Sequence, residues 1–270
     1  MDEAVSFLMG SGLVVGSIVE EYNEALLAGY VLCQSPVAGI QVTYGSEVDI
    51  VLSTHRRPIS DLVNSLSSMT GGHKLQQALQ EVMLRRKEAV PFVMEKLREG
   101  AWFEKHTMTK LLRCSPWPEV SSELVRIAVS EEEHWLVRQG AMYALAALGD
   151  AAFGPDIHGV LTASGTPSGV RRVAVAALAR IGYRGALEDM RSLARDGDMR
   201  MRLFANRALL ELGETGDTDF LVAALDDTDA VVREEAGAAL ALAPGANVTD
   251  KLAAVAASDG NSAVRGAARE

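Results

Sequence analysis

Val170-Arg171-Arg172-Val173-Ala174-Val175-Ala176-Ala177-Leu178-Ala179-Arg180-Ile181-Gly182 decides how this chain is read. Counted from Arg171, apolar residues stand at −1, +3, +7 and +10 (Val170, Ala174, Leu178, Ile181), a spacing that gathers them on one stripe of a helix. The set recurs as Met201, Ala205, Leu209 and Leu212 around Arg202. It recurs again as Val137, Ala141 and Leu145 around Arg138, and as Val232, Ala236 and Leu240 around Arg233. Val264-Arg265 opens another copy, and Lys105 stands where a sixth would begin. Successive basic residues lie 31 to 33 positions apart. A fixed period near thirty with helical spacing inside it marks a stacked helical array. Such arrays present surfaces that hold something more often than pockets for chemistry.

A first helix is expected before each basic residue, at about 88–98, 119–129, 155–163, 185–195, 217–225 and 248–257. Breaks at Gly149-Asp150, Gly182, Gly213 and Pro244-Gly245 follow the second helices, where glycine takes a left-handed φ without Cβ strain. Small Ala at +3 lets helices approach, and Leu at +7 fills the remaining volume. The expected fold is mainly α: an α-solenoid of about six antiparallel helix pairs, an α-α superhelix. The repeated Arg138, Arg171, Arg202 and Arg233 sit in the first turn of the second helix. With Asp198 shortly before Arg202 and Asp229 before Arg233, they are expected to tie repeats together through carboxylates and loop carbonyls.

Residues 1–55 read differently. Asp2 to Met9 has helical spacing, Val42-Thr43-Tyr44 and Val48-Asp49-Ile50-Val51-Leu52 favour strands, and Ser35-Pro36 marks a turn. This is a small α+β module, followed by the linker Thr54-His55-Arg56-Arg57-Pro58 and then, over 56–270, by helices. Helices are expected near 60–69 and 74–87, around a Thr70-Gly71-Gly72 turn. The two parts are expected to fold independently.

The net charge of −10 is divided evenly between the two parts and counts against nucleic acid, whose backbone demands accumulated Lys and Arg. No run reaches the roughly 20 apolar residues of a membrane helix, and the start carries no basic secretion head, so no address is expected within the chain as given. Cys33 and Cys114 are expected to be semi-buried small apolar side chains. Trp102, Trp117 and Trp135 are expected to fill gaps between repeats. The five histidines form no H-E-x-x-H or His/Cys cluster, and Glu131-Glu132-Glu133-His134 reads as a solvated turn, not a metal site. No nucleophile-elbow, P-loop or dinucleotide motif is present, so no catalytic residue, metal or cofactor is expected.

The V-R-x-x-A-x-x-x-L helix, the period and the interhelix Asp resemble the HEAT repeat, particularly its short bacterial kind, over about residues 75–270. The resemblance implies a right-handed superhelix that binds proteins, with its second helices lining the concave side. Gly12-Leu13-Val14-Val15-Gly16, Gly29-Tyr30-Val31-Leu32-Cys33-Gln34-Ser35-Pro36-Val37-Ala38-Gly39 and Gly45-Ser46-Glu47-Val48-Asp49-Ile50 resemble a PASTA domain lacking its first strand. That family recurs on extracytoplasmic parts of bacterial kinases and cell-wall enzymes, where some members bind muropeptides. It implies peptidoglycan as a second partner through residues 1–55 and an extracytoplasmic place if the chain is a fragment, and a longer native polypeptide is expected.

The function expected is a non-catalytic scaffold for a protein or peptide. The alternatives are a cell-envelope adaptor, or an enzyme of the lyase or glycosylase type found among HEAT-like proteins. If +3 and +7 are buried, +1, +4 and +5 should project into the groove. That makes Gln139, Met142, Tyr143, Arg172, Leu203, Asn206 and Arg207 the central candidates, with His106, Thr109, Lys110 and Val175 before or among them and Glu234 beyond.

Overall fold

A computed structural model of the chain describes residues 2–23, 26, 28–54, 56–69, 71–243 and 245–269. Contacts divide it into two compact units, 1–89 and 90–270.

The first unit opens with α1 (Asp2–Gly10), β1 (Val14–Tyr22), β2 (Val31–Ser35) and β3 (Glu47–Thr54). The sheet order is β1-β3-β2, with β1 parallel and β2 antiparallel to the central β3. Alternate residues of β3, Val48, Ile50 and Leu52, are buried with Leu8 of α1, as a strand with one covered face requires. Val42-Thr43-Tyr44 is not a strand. The Ser46 N–H donates to the Thr43 carbonyl at 3.1 Å, closing a turn that carries Tyr44 into solvent. The strand expected there is supplied instead by β1 and β2, the two edges. In β1 neither side alternates cleanly, since Ile18 and Val19 are both exposed.

Helices α2 (Ile59–Ser65) and α3 (His73–Leu84) follow. His55 of the expected linker and Thr70 of the expected turn lie outside the described residues, as does Pro244 further on. The linker's basic pair is held in place. Arg56 pairs with Glu88, and the Arg57 carbonyl accepts from Arg85 at 2.6 Å while Arg85 bridges Glu81 and Glu88, each at 2.9 Å.

The remaining helices run as pairs: α4 (Arg86–Glu99) and α5 (Trp102–Cys114); α6 (Ser121–Val129) and α7 (Trp135–Leu148); α8 (Gly154–Thr162) and α9 (Ser168–Arg180); α10 (Leu187–Asp196) and α11 (Met199–Glu211); α12 (Thr218–Ala224) and α13 (Ala230–Leu240); α14 (Ala246–Ser258) and α15 (Ser262–Ala267). These are the expected helices to within a turn. Second helices pack on second helices in sequence, α5 on α7 and onward to α15, while α6 packs on α8 in the other layer. Gly149, Gly182 and Gly213 end α7, α9 and α11 at φ 72°, 72° and 73°, the left-handed region an L side chain avoids.

The −1, +3 and +7 residues of the four full copies are buried, as the stripe requires. So are the +4 residues Thr109, Met142, Val175 and Asn206, along with Leu203 at +1. A second helix is covered on two sides, by its partner and by the next second helix. The +4 side meets that neighbour: a Cβ built on Gly140 would lie 2.2 Å from Thr109 Oγ1. Met142, Leu203 and Asn206 therefore do not project into a groove as the single-stripe argument expects. Asn206 works inside the fold, donating to the Arg202 carbonyl at 2.9 Å and accepting from the Asp217 N–H at 2.7 Å.

The repeated arginines close the ends of first helices. Nε of Arg138, Arg171 and Arg202 donates to the carbonyls of Ala128, Leu161 and Ala194 at 3.1, 3.1 and 3.2 Å. These carbonyls have no partner within their own helix. Arg233 donates to the Asp227 carbonyl at 2.9 Å and grips Asp259 of the following repeat at 2.8 and 3.1 Å. Asp198 and Asp229 serve as N-caps, accepting from the Met201 and Val231 N–H at 2.8 and 2.9 Å. Their capping role displaces the pairing expected with Arg202 and Arg233.

Trp117 is fully buried, but Trp102 and Trp135 are each 49% exposed, at the first residue of α5 and α7. Cys33 and Cys114 are both exposed. Cys33 lies on the outward side of an edge strand, and Cys114 is the last residue of α5.

Candidate functional site

Alanine builds a cleft in the second unit. Ala146 and Ala147 on α7, Ala176 and Ala177 on α9, and Ala208 on α11 stop at Cβ, leaving a trough of about 390 Å³ over the second-helix layer. Its walls are Arg113 of α5, Tyr143 of α7, Arg180 of α9, Phe204, Arg207 and Glu211 of α11, and Glu235 of α13. Counted from each repeat's basic residue, these lie chiefly at +2, +5 and +9, one helical stripe away from both buried sides.

Charge is sorted along the trough. The Arg113 guanidinium lies 4.8 Å from the centre of the Tyr143 ring, a cation–π arrangement. Burial pushes the Tyr143 phenol up from its ordinary value, so the ring stays neutral beneath that cation. Arg207 bonds Glu211 at 3.0 Å and Glu235 at 3.3 Å. Arg180 is exposed and forms no ion pair among the described residues. A second depression, of about 320 Å³, shares Arg207 and Glu235 and continues past Glu234 to Ala263 and Ala267. The trough thus runs from free arginine to carboxylate.

Of the central candidates, Tyr143 and Arg207 stand together in this cleft. Gln139 and Arg172 are half-buried, and both lie near Gly169: a Cβ there would be 3.1 Å from Gln139 Nε2 and 3.8 Å from Arg172 Nη2. They do not line the trough. Arg113, Arg180, Phe204 and Glu211 were missed. The +2/+5/+9 stripe, rich in alanine between charged and aromatic residues, is the signal that would have found all but Arg113, which stands at +8 from Lys105.

His106, also expected in the groove, is half-buried, and its Nδ1 is buried with no hydrogen-bond partner among the described residues. Burial, reinforced by the Lys110 charge, holds the imidazole below its ordinary value of 6.5. The unfolded chain therefore binds this proton more readily. The contribution of neutral His106 is full above the unfolded value and is lost as pH falls through the lower folded value. The melting temperature is expected to drop below about pH 6.5, with a shallower drop in His106→Gln. Identical pH profiles for the two proteins would refute this.

The architecture defines a helical repeat protein with a small α+β module at its head. Residues 160–241 match HEAT repeats and residues 1–54 match the PASTA domain. The chain is a HEAT-like repeat protein with an N-terminal PASTA-like domain. A comparison with curated proteins finds no match. Among solved structures, that of human deoxyhypusine hydroxylase in complex with glycerol is similar over 78% of this chain and 94% of that one, at 17% identity and a TM-score of 0.34. Likeness at that level carries no argument about function. No helix among the described residues is long and apolar enough to cross a membrane.

Proposed function

We propose that this chain is a non-catalytic scaffold that holds a protein or peptide segment in the alanine-floored trough of its second helices. One observation carries the reading: five consecutive second helices, α5 to α13, contribute to a single cleft whose floor is apolar and whose ends are oppositely charged. Such a cleft suits a segment with an acidic side chain near Arg113 and Arg180 and an apolar one over the alanines between Tyr143 and Phe204. A basic side chain would follow near Glu234 and Glu235. Tyr and Arg are the residue types that most often dominate interface energy. The carboxylates nearest the floor, Glu211 and Glu235, are both engaged by Arg207, which favours recognition over acid–base work.

Peptides selected by display against the whole chain should bind the variant Tyr143→Ala/Arg207→Ala at least about tenfold more weakly. Arg172→Ala, outside the trough, should bind them nearly as the parent does. Undiminished binding by the double variant would move the site elsewhere. A cell-envelope role with peptidoglycan held by residues 1–55 rests on the PASTA match. The cleft of that module is lined by Ala4, Phe7, Leu13, Val37 and Ile40, a set better matched to an apolar peptide side chain than to a sugar.

A further inference from the structure

Two turns of the repeat array end in tryptophan, and both rings face solvent. Trp102 and Trp135 open α5 and α7, where the later repeats carry Ser168, Met199, Ala230 and Ser262. The Trp102 ring stacks on His134 with centroids 4.6 Å apart and planes at 23°, and His134 stacks on Trp135 at 5.8 Å and 28°. Phe103 stands edge-on to Trp102 at 6.1 Å. The three large aromatics are each 49% exposed.

The ladder is held from behind. His134 Nδ1 accepts from the Leu136 N–H at 3.3 Å, Glu104 closes the start of α5 by accepting from the Ala101 N–H at 2.9 Å, and Lys105 grips Glu133 at 2.6 Å. Fixed aromatic rings lose little freedom when something docks on them, and contiguous exposed apolar patches mark interaction sites.

The surrounding charge says what docks. Lys105 and Arg126 are satisfied by Glu133, and Arg98 by Glu123. Glu132, two residues before the ladder's His134, and Glu99, three residues before Trp102, are exposed and form no ion pair among the described residues, whereas Glu131 faces Arg138 in the hollow beside Gly165. Free carboxylates on the turns that carry open indole faces complement a cation, which gains both an ion pair and a cation–π contact. An anionic lipid surface would be repelled by the same carboxylates.

We propose that the Trp102–His134–Trp135 ladder, with Glu99 and Glu132, is a docking surface for a lysine- or arginine-bearing peptide segment, separate from the trough. The test is fluorescence anisotropy of a labelled hexa-arginine peptide titrated with the full chain. Trp102→Ala/Trp135→Ala is expected to weaken binding about tenfold, and Glu99→Gln/Glu132→Gln several-fold. Asp219→Asn/Asp250→Asn, at exposed carboxylates outside both sites, should leave it within about twofold. Circular dichroism checks the fold of each variant, and the charge pair decides if the tryptophan variant fails to fold. Undiminished binding by the ladder variants, or an equal loss from the Asp219/Asp250 variant, overturns the proposal. So does co-sedimentation with phosphatidylcholine vesicles that depends on the two tryptophans, which would assign the ladder to lipid. A dimer in sedimentation velocity that dissolves in the tryptophan variant would assign it to a second copy of the chain.

Discussion

Leu178→Ala is expected to lower the unfolding free energy by about 2–5 kcal/mol. Leu178 is fully buried at +7 of α9, and its neighbours on the stripe, Val170 and Ala174, are fully buried as well. Small partners at +3 leave no flexible side chain to collapse into the space, so most of the lost volume persists as a cavity. Each pair in an array is stabilised by its own packing and that of its immediate neighbours. The damage should therefore centre on α8 to α11, and hydrogen exchange there should accelerate before that of α5 and α6. Leu178→Met, which conserves volume, should cost less than about 1.5 kcal/mol. Urea denaturation measures both, and a loss under 1 kcal/mol for the alanine variant would contradict the packing described.

Gly140→Ala is expected to destabilise by about 1–3 kcal/mol, with a sign opposite to what the helix alone dictates. In an open helix position, exchanging glycine for alanine stabilises by about 0.5–1 kcal/mol. At Gly140 the new Cβ would meet Thr109 Oγ1 at 2.2 Å and Thr109 Cβ at 2.8 Å, and Thr109 is fully buried and cannot swing aside. Its hydroxyl also donates to the His106 carbonyl at 2.9 Å. Gly159 of α8 provides the control: nothing lies within 4 Å of a Cβ there, so Gly159→Ala should be stabilising. Thr109→Ala removes the atom of closest approach and should recover part of the Gly140→Ala loss in a double-mutant cycle. A stabilising Gly140→Ala would mean that α5 and α7 do not approach as closely as this contact requires.

The same glycine shows why the array was legible and the groove was only partly so. Periodicity exposes every residue that must be buried against the partner helix, because that side is apolar in all copies. The side facing the next second helix is chemically mixed: Thr109, Met142, Val175, Asn206 and Gly237 share a position and a buried environment, but no hydropathy. Read as polarity, Asn206 looks exposed, yet it is satisfied by two backbone groups. Of the central candidates, Tyr143 and Arg207 survived the shift from +1/+4/+5 to +2/+5/+9, because +5 belongs to both sets, and Glu234 lines the continuation of the trough. In the first unit the turn residues were legible and the edge strands were not, since an edge strand with exposed residues on both sides, such as β1, has no period-two pattern to read. The aromatic ladder was hidden for a different reason. Tryptophan at a helix start fits either a filled gap or an open platform, and Trp117 and Trp102 turned out to be one of each.

Cys33 and Cys114 give the chain an experimental property of their own. One thiol lies in each compact unit, both are open to solvent, and they are the chain's two cysteines. Maleimide chemistry can therefore carry a donor and an acceptor dye to the two units without altering a residue. The unmodified chain is its own ruler for whether its PASTA-like head moves against the helical array when a peptide is captured.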